Sequence, residues 1–222
     1  MISILVPTRQ RPHNIERLWK SVVDTASNIN DIELVVYIDD DDQTYDHIEV
    51  PMIIVRGPRI VLSECWNKCF ARARGDILMH CGDDIVFRTD GWDKVIVDEF
   101  AKYPDHVVFV YGDDGGPSKD FGTHGFIHRV WAGASGFFVP PYFSSDYNDT
   151  WLNDVAKLIG RHRHVDIYTE HMHPAFNKAP VDTNHLERLA RHREDQVDEL
   201  YNSSQMQKER QDNAEKLRKV ML

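Results

Sequence analysis

Residues 77–87 read ILMHCGDDIVF. The run ILMHC has the length and apolar character of a buried β-strand, and Gly82 then marks a turn that carries two carboxylates, Asp83 and Asp84. In an open α/β sheet, ligands bind beyond the carboxyl ends of the strands. This stretch therefore predicts an α/β fold and places a candidate binding site at the Asp83-Asp84 pair.

Strands and helices alternate around this stretch. Further apolar runs of strand length lie at residues 2–6, 32–38, 52–55 and 107–111. Segments whose apolar residues recur at helical spacing lie at residues 13–27, 62–73 and 92–103. Because strands that alternate with helices form sheets covered on both faces, we expect one α/β domain with a mainly parallel central sheet.

The chain divides into a domain and a tail. We expect the domain to span residues 1–180, with a ligand-binding half at 1–112 and a glycine-rich second half at 113–180 that begins with a lid. Residues 181–222 are charged and helix-forming, which predicts a C-terminal helical extension. Its broken heptad pattern fits a surface helix packed on the domain, or a helix that pairs with a second copy in a homodimer.

Composition narrows the class of protein. The formal net charge of −10 over 222 residues disfavours uniform attraction to nucleic acid or to an anionic membrane. No apolar run approaches the roughly 18 residues of a membrane-spanning helix. The odd number of cysteines (Cys65, Cys69 and Cys81) matches no common zinc spacing and predicts buried thiols. A reducing, cytoplasmic location follows as an expectation.

Two other predicted strands also end in polar residues. The first is followed by PTRQRP at residues 7–12, and the second by four aspartates at residues 39–42. Arginine binds phosphate through two parallel hydrogen bonds, and carboxylates are hard ligands for Mg²⁺ or Mn²⁺. Each segment alone also fits solvated loop charges or a helix cap. Their joint placement at one sheet edge predicts a phosphate-bearing ligand held with a divalent metal.

Three segments, in order, resemble glycosyltransferases of the GT-A fold, especially the inverting family 2. They are residues 2–12 (ISILVPTRQRP), 34–40 (LVVYIDD) and 67–87 (NKCFARARGDILMHCGDDIVF). The resemblance covers about residues 1–180 and is stronger in the N-terminal half. It implies a GT-A fold and a nucleotide-diphosphate sugar as donor.

The resemblance also implies roles for single residues. Those that would contact the donor nucleotide or sugar are Pro7, Thr8, Arg9, Arg11, Asp39, Asn67 and Asp83. Among these, Asp39 would meet the base, usually uracil, and Asp83 the ribose or sugar. Asp84 would bind the metal directly. The sequence departs from the family at Gly82, which stands where the first acid of a longer acidic motif often lies.

Residues 147–160 (YNDTWLNDVAKLIG) resemble the acceptor helix of the family, where an acidic pair is common. Asn153 and Asp154 stand at that pair, so Asp154 is the predicted base that takes the acceptor proton. The alternative is that Asp154 is an ordinary surface residue of the helix. Asp149 is predicted to be an N-terminal helix charge or cap.

His171 and His173 alternate along a predicted strand, so their side chains point the same way. Some GT-A enzymes use a C-terminal histidine as a further metal ligand, and this pair lies where such a residue would. An imidazole can complete a Mn²⁺ shell. Contact with the metal and contact with phosphate both remain open for this pair.

The sequence thus predicts a metal-dependent glycosyltransferase that moves a sugar from a nucleotide donor, most simply a UDP-sugar, to an acceptor hydroxyl. Inversion follows by analogy with the family. The acceptor is open among a glycan, a small molecule and a modified nucleic-acid base. Two alternatives are a nucleotidyltransferase, which the absence of glycine from residues 7–12 disfavours, and a non-catalytic nucleotide-sugar-binding module, which Gly82 and Asn153 suggest.

Overall fold

The computed structural model describes residues 1–116 and 118–222; Pro117, within the predicted lid, lies outside the described residues. The strands are β1 Ile2–Pro7, β2 Ile32–Asp39, β3 Ile53–Gly57, β4 Ile77–His80, β5 Ile85–Phe87, β6 Phe109–Asp113, β7 Gly125–His128 and β8 His162–His171. The helices are α1 Pro12–Thr25, α2 Leu62–Arg72, α3 Trp92–Phe100, α4 Arg129–Ser135, α5 Asn148–Leu158, α6 Thr183–Glu194, α7 Val197–Asn202 and α8 Ser204–Arg218. Within the described ranges, none of these helices has the length and apolar character needed to cross a membrane.

All the strands belong to one sheet, in the order β3-β2-β1-β4-β7-β6-β8-β5. From β3 to β4 the neighbouring strands are parallel. Helix α1 connects β1 to β2, residues 40–52 connect β2 to β3, and α2 connects β3 to β4. Beyond β4 the sheet is mixed: β7 runs antiparallel to β4 and β6, and β5 antiparallel to β8. The predicted α/β class is confirmed, and its parallel part is the N-terminal half that carries the polar strand ends.

The two faces of the sheet form separate cores. In β1, Leu5 packs with α2 and α5 on one face, whereas Ile4 and Val6 pack with α1 and α3 on the other. Successive strand residues point to opposite faces, and both faces are covered, so the strand is apolar except for Ser3, whose buried hydroxyl donates to Glu33. Burial on both sides fixes the register of β1, and therefore the position of the polar loop that follows it.

The C-terminal tail packs on the domain. Helix α8 buries Met206, Ala214 and Leu217 in the same core as α5, and Asn213 accepts a 3.0 Å hydrogen bond from the indole of Trp151. This arrangement agrees with the surface-helix alternative, since the apolar face of α8 is covered within one chain. A homodimer through the tail remains a prediction.

The three cysteines are buried and free, as the sequence predicts. Burial raises the pKa of the Cys65 thiol to about 12 and that of Cys81 well above its ordinary value. These thiols therefore stay protonated at neutral pH and pack as small apolar groups.

Candidate active site

A cleft with a volume of about 280 Å³ opens at the carboxyl ends of β1, β2 and β4. The predicted site residues that line it are Pro7, Thr8, Arg9, Arg11, Asp39, Asp83, Asp84, His171 and His173. They come from loops far apart in the chain, and the sheet brings them together because parallel strands end at one edge. Two other predicted site residues, Asn67 and Asp154, lie elsewhere.

Asp83 is held at the floor of the cleft by the loop after β1. Its carboxylate accepts a 2.7 Å hydrogen bond from the hydroxyl of Thr8 and a 3.2 Å bond from Nη1 of Arg11. Burial raises the pKa of Asp83, while the Arg11 charge acts in the opposite direction. Nδ2 of Asn14 also donates to this carboxylate, at 3.4 Å, so three donors from the β1–α1 loop and the start of α1 orient it.

The same loop is tied to the end of β2. Nη1 of Arg9 donates to Asp39 at 2.6 Å and to Asp41 at 2.8 Å. The backbone N–H of Gln10 donates to Asp42 at 2.6 Å. The aspartates of residues 39–42 therefore hold the loop in place, and three of them accept hydrogen bonds from it. Asp39 still lines the cleft.

Asp84 lies among imidazoles. Its Oδ2 is 3.3 Å from Nε2 of His171, and one ligand atom each of Asp84, His124 and His171 lie within 4.8 Å of one another. One ligand atom each of Asp84, His173 and His185 also lie within 4.8 Å of one another. Burial opposes ionisation of Asp84, but the hydrogen bond and charge of His171 outweigh it and hold the pKa of Asp84 well below its ordinary value.

These residues fit a divalent cation. Nε2 of His124 and Nδ1 of His171 are buried, and neither has a hydrogen-bond partner in the described part of the chain. Buried polar atoms are normally satisfied, so the orphaned nitrogens need explaining. A donor set of one carboxylate and several imidazoles suits Mn²⁺ or a similar transition metal better than Mg²⁺, which prefers oxygen.

Asp149, in the first turn of α5, also lines the cleft. Burial raises the pKa of its carboxyl to about 6, and the nearby Asp146 charge acts in the same direction, while the backbone N–H of Thr150 opposes the shift. The residue is a first-turn helix acid, as predicted, but it is also a carboxyl with a raised pKa that faces the cleft. Such a group can accept a proton at neutral pH.

Asp154 does not reach this cleft. It lines a different depression beside α8, and its Oδ2 accepts a 2.5 Å hydrogen bond from the hydroxyl of Tyr201. Five residues along a helix rotate the side chain by about 140°, so Asp149 and Asp154 point in different directions. The structure therefore corrects the placement of the predicted base: the cleft-facing acid of α5 is Asp149.

Asn67 has a structural position. Its Nδ2 donates to the carbonyls of Ser63 and Val139, and its Oδ1 accepts from the backbone N–H groups of Phe138 and Val139. These bonds join α2 to the segment after α4. Because both ends of the amide are occupied and the residue does not line the cleft, direct donor contact by Asn67 is not supported.

Helix α6 of the tail forms a wall of the cleft, which the sequence did not predict. Nε and Nη2 of Arg11 donate to the two carboxylate oxygens of Asp182, each at 2.7 Å. The side chain of Asn184 donates to the carbonyl of Arg9 at 2.7 Å. Further along the helix, His185, Arg188 and Arg191 line the cleft.

Residues 3–165 match the family model of "Glycosyl transferase family 2". The chain belongs to this family. It is a glycosyltransferase that uses a nucleotide sugar. The match runs from β1 into β8 and includes the strands whose ends form the cleft. No curated protein sequence matches the chain.

Solved glycosyltransferases share the fold of this family 2 chain. Residues 1–349 of S. aureus TarS superpose with a TM-score of 0.60 at 13% identity, covering 99% of this chain and 80% of that one. The same TarS fragment in complex with UDP-GlcNAc gives 0.60 at 14% identity, covering 100% and 81%. The mannosyltransferase PcManGT from Pyrobaculum calidifontis, in complex with GDP-Man and Mn²⁺, gives 0.58 at 13% identity, covering 75% and 56%.

Proposed function

We propose that this chain transfers a sugar from a UDP-linked donor to an acceptor hydroxyl, with a divalent metal held by Asp84 and with Asp149 as the general base. The observation that carries the proposal is that one cleft contains both an acid–imidazole cluster around Asp84 and a separate carboxyl of raised pKa, Asp149. A transferase needs two such functions, one at the leaving group and one at the attacking hydroxyl.

The donor half of the cleft is the edge formed by β1, β2 and β4. Asp39 would bind the base, Asp83 the ribose or sugar, and Arg11 the diphosphate, with Pro7, Thr8 and Arg9 shaping the loop around them. Arginine and backbone N–H groups suit phosphate oxygens. UDP is favoured because TarS has been solved with UDP and with UDP-GlcNAc, whereas PcManGT was solved with GDP-Man.

Asp84 and His171 would hold the metal, with His124 on one side, or His173 and His185 on the other, completing the ligand set. When bound, such a cation stabilises the negative charge that develops on the leaving diphosphate. The Mn²⁺ in the PcManGT complex supports a metal of this kind.

Asp149 at the start of α5 would take the proton of the acceptor hydroxyl. The acceptor oxygen forms a bond to the anomeric carbon, the bond from that carbon to the diphosphate oxygen breaks, and the nucleoside diphosphate leaves. One displacement of this kind inverts the configuration at the anomeric carbon, as the family resemblance implies. The acceptor would be a glycan, a small molecule or a modified base that carries a free hydroxyl.

The test is release of UDP from a panel of UDP-sugars with Mn²⁺, together with Mn²⁺ binding followed by electron paramagnetic resonance. Asp84→Asn should weaken Mn²⁺ binding at least about tenfold and suppress UDP release. Asp90→Asn is the matched control, since Asp90 is exposed after β5, and it should behave like the unaltered protein.

If Asp84→Asn released UDP at the unaltered rate, the metal assignment would be wrong. If the unaltered protein bound UDP but hydrolysed or transferred no sugar with any acceptor tried, the non-catalytic binding module would be favoured instead. Release of pyrophosphate in place of UDP would indicate nucleotidyl transfer.

A further inference from the structure

Five arginines line the cleft, and in the described part of the chain four of them have acidic partners. The pairs are Arg9 with Asp39, Arg11 with Asp83, Arg59 with Glu187 and Arg188 with Asp146. Arg191 lines the cleft without an acidic partner within residues 1–116 and 118–222. Its Nε is buried and makes no hydrogen bond there.

An arginine in this state needs an anion. The guanidinium cannot lose its proton in a protein, so it stays charged even where it is partly buried. Buried donors without partners are costly and rare. The carbonyl end of α6 favours cations in its last turn, but exposed Arg193 occupies that turn as well. The helix end therefore does not account for the direction of Arg191 into the cleft.

The surroundings of Arg191 are built for a polar ligand. Arg188 and His192, its neighbours on α6, both contact Asp146 in the loop before α5. In that same loop and at the start of α5, the Oγ of Ser145 and the Oδ1 of Asn148 are buried and lack hydrogen-bond partners in the described ranges. Both residues line the cleft. The same cleft thus holds a cation without an acidic partner and two polar atoms without hydrogen-bond partners among the described residues.

We propose that Arg191 binds a phosphate group of a substrate, so that the C-terminal extension completes the substrate site of the enzyme. The inference rests on the proposed function, since it takes the cleft to be the substrate site. A planar guanidinium with free donors matches phosphate oxygens. The phosphate can come from two sources: the diphosphate of the donor, or a phosphate-bearing acceptor.

The length of α6 separates Arg191 from the contact that α6 makes with the β1–α1 loop. Asp182, which caps α6 and pairs with Arg11, precedes Arg191 by nine positions, so the two lie about 13 Å apart along the helix axis. Arg191 therefore lies in the last turn of α6, whereas Arg11 pairs with the residue that caps the first turn.

The experiment compares Arg191→Gln with Arg193→Gln by isothermal titration calorimetry in the presence of Mn²⁺. The first titrants are UDP and uridine; the second is inorganic phosphate added to protein saturated with UDP. If the donor supplies the phosphate, Arg191→Gln weakens UDP binding about tenfold or more and leaves uridine binding unchanged. If the acceptor supplies it, UDP binding is unchanged and phosphate binding to the UDP complex is lost.

Arg193→Gln should match the unaltered protein in every titration. Equal binding of UDP and of phosphate by Arg191→Gln and the unaltered protein overturns the proposal. If the unaltered protein binds no UDP, the proposed function fails, and phosphate titrated into the free protein still tests Arg191. Should Arg191→Gln not fold, Arg191→Lys keeps the charge without the planar fork, and a smaller loss of the same affinity is expected; an unchanged affinity again overturns the proposal.

Discussion

Arg11 and Asp182 form a two-point ion pair, with Nε and Nη2 of the guanidinium each 2.7 Å from a different oxygen of the carboxylate. The pair joins the loop after β1 to Asp182, which caps the first helix of the C-terminal extension. Arg11 also donates to Asp83, so one side chain links the floor of the cleft to its helical wall. The extension is therefore connected to the N-terminal half of the molecule by a partly buried ion pair.

Asp182→Ala should weaken UDP binding and lower stability. The carboxylate also accepts the N–H of His185 and so caps α6. Loss of the cap should cost about 1 kcal/mol in the free energy of unfolding, and an unheld α6 should leave Arg11 free to move. Urea unfolding and UDP calorimetry measure the two effects. Glu194→Ala, at the exposed end of α6, is the control, and an unchanged UDP affinity in Asp182→Ala would argue against α6 as a wall of the site.

Asp149→Asn and Asp154→Asn should separate the two acids of α5. Asp149→Asn removes the proposed base and should lower kcat by about 10²- to 10⁴-fold while UDP binding is retained. Asp154→Asn should stay close to the unaltered rate, because Asp154 bonds to Tyr201 away from the cleft. Steady-state rates with the best donor and acceptor decide the matter. The opposite ranking would restore Asp154 as the base.

Activity should depend on pH through Asp149. Burial raises the pKa of this carboxyl to about 6, and a base must be deprotonated to work. The rate should therefore be at its plateau above about pH 7 and fall about tenfold per pH unit well below pH 6. A profile of kcat/KM from pH 4.5 to 8.5 tests this, with UDP binding measured over the same range as the control. A flat profile down to pH 5 would exclude Asp149 as the titrating base.

Asn67→Ala should destabilise the fold without impairing UDP binding. Removing the amide leaves the backbone N–H groups of Phe138 and Val139 without their acceptor, which should cost about 2–3 kcal/mol in the free energy of unfolding. Lys68→Ala, at the exposed neighbouring position, is the control. A variant of normal stability that binds UDP weakly would return Asn67 to the list of donor contacts.

Acid should destabilise the protein through His80. Burial lowers the pKa of this imidazole to about 4 from an ordinary value of 6.5, so folding favours the neutral ring. Below pH 6.5 the ring takes up a proton in the unfolded chain but not in the folded one. The free energy of unfolding is therefore highest above pH 6.5 and falls by about 3 kcal/mol as the pH drops from 6.5 toward 4. Urea midpoints between pH 7 and pH 4 should fall less steeply in His80→Gln than in the control His47→Gln, which alters an exposed ring. Identical slopes would contradict the assignment.

Much of the candidate site could be predicted from the sequence because sheet geometry is regular. Thr8, Asp39 and Asp84 each follow an apolar run, and parallel strands end at the same edge, so these side chains had to converge. The predicted strand through His173 is too long, because β8 ends at His171 and His173 lies two residues beyond it, yet both side chains line the cleft. The convergence of Thr8, Asp39 and Asp84 needed only the direction of neighbouring strands.

The sequence by itself determined the α/β fold, the sheet edge that carries the acids and arginines, and the helical nature of the tail. Tertiary structure alone decided that α5 turns Asp149 rather than Asp154 toward the cleft, and that His124, His185 and Arg191 join it. The physical reason is that local patterns fix the period of an element but not its rotation or its partners. Those depend on which apolar face is buried against distant parts of the chain, as α6 and the β1–α1 loop show through Arg11 and Asp182.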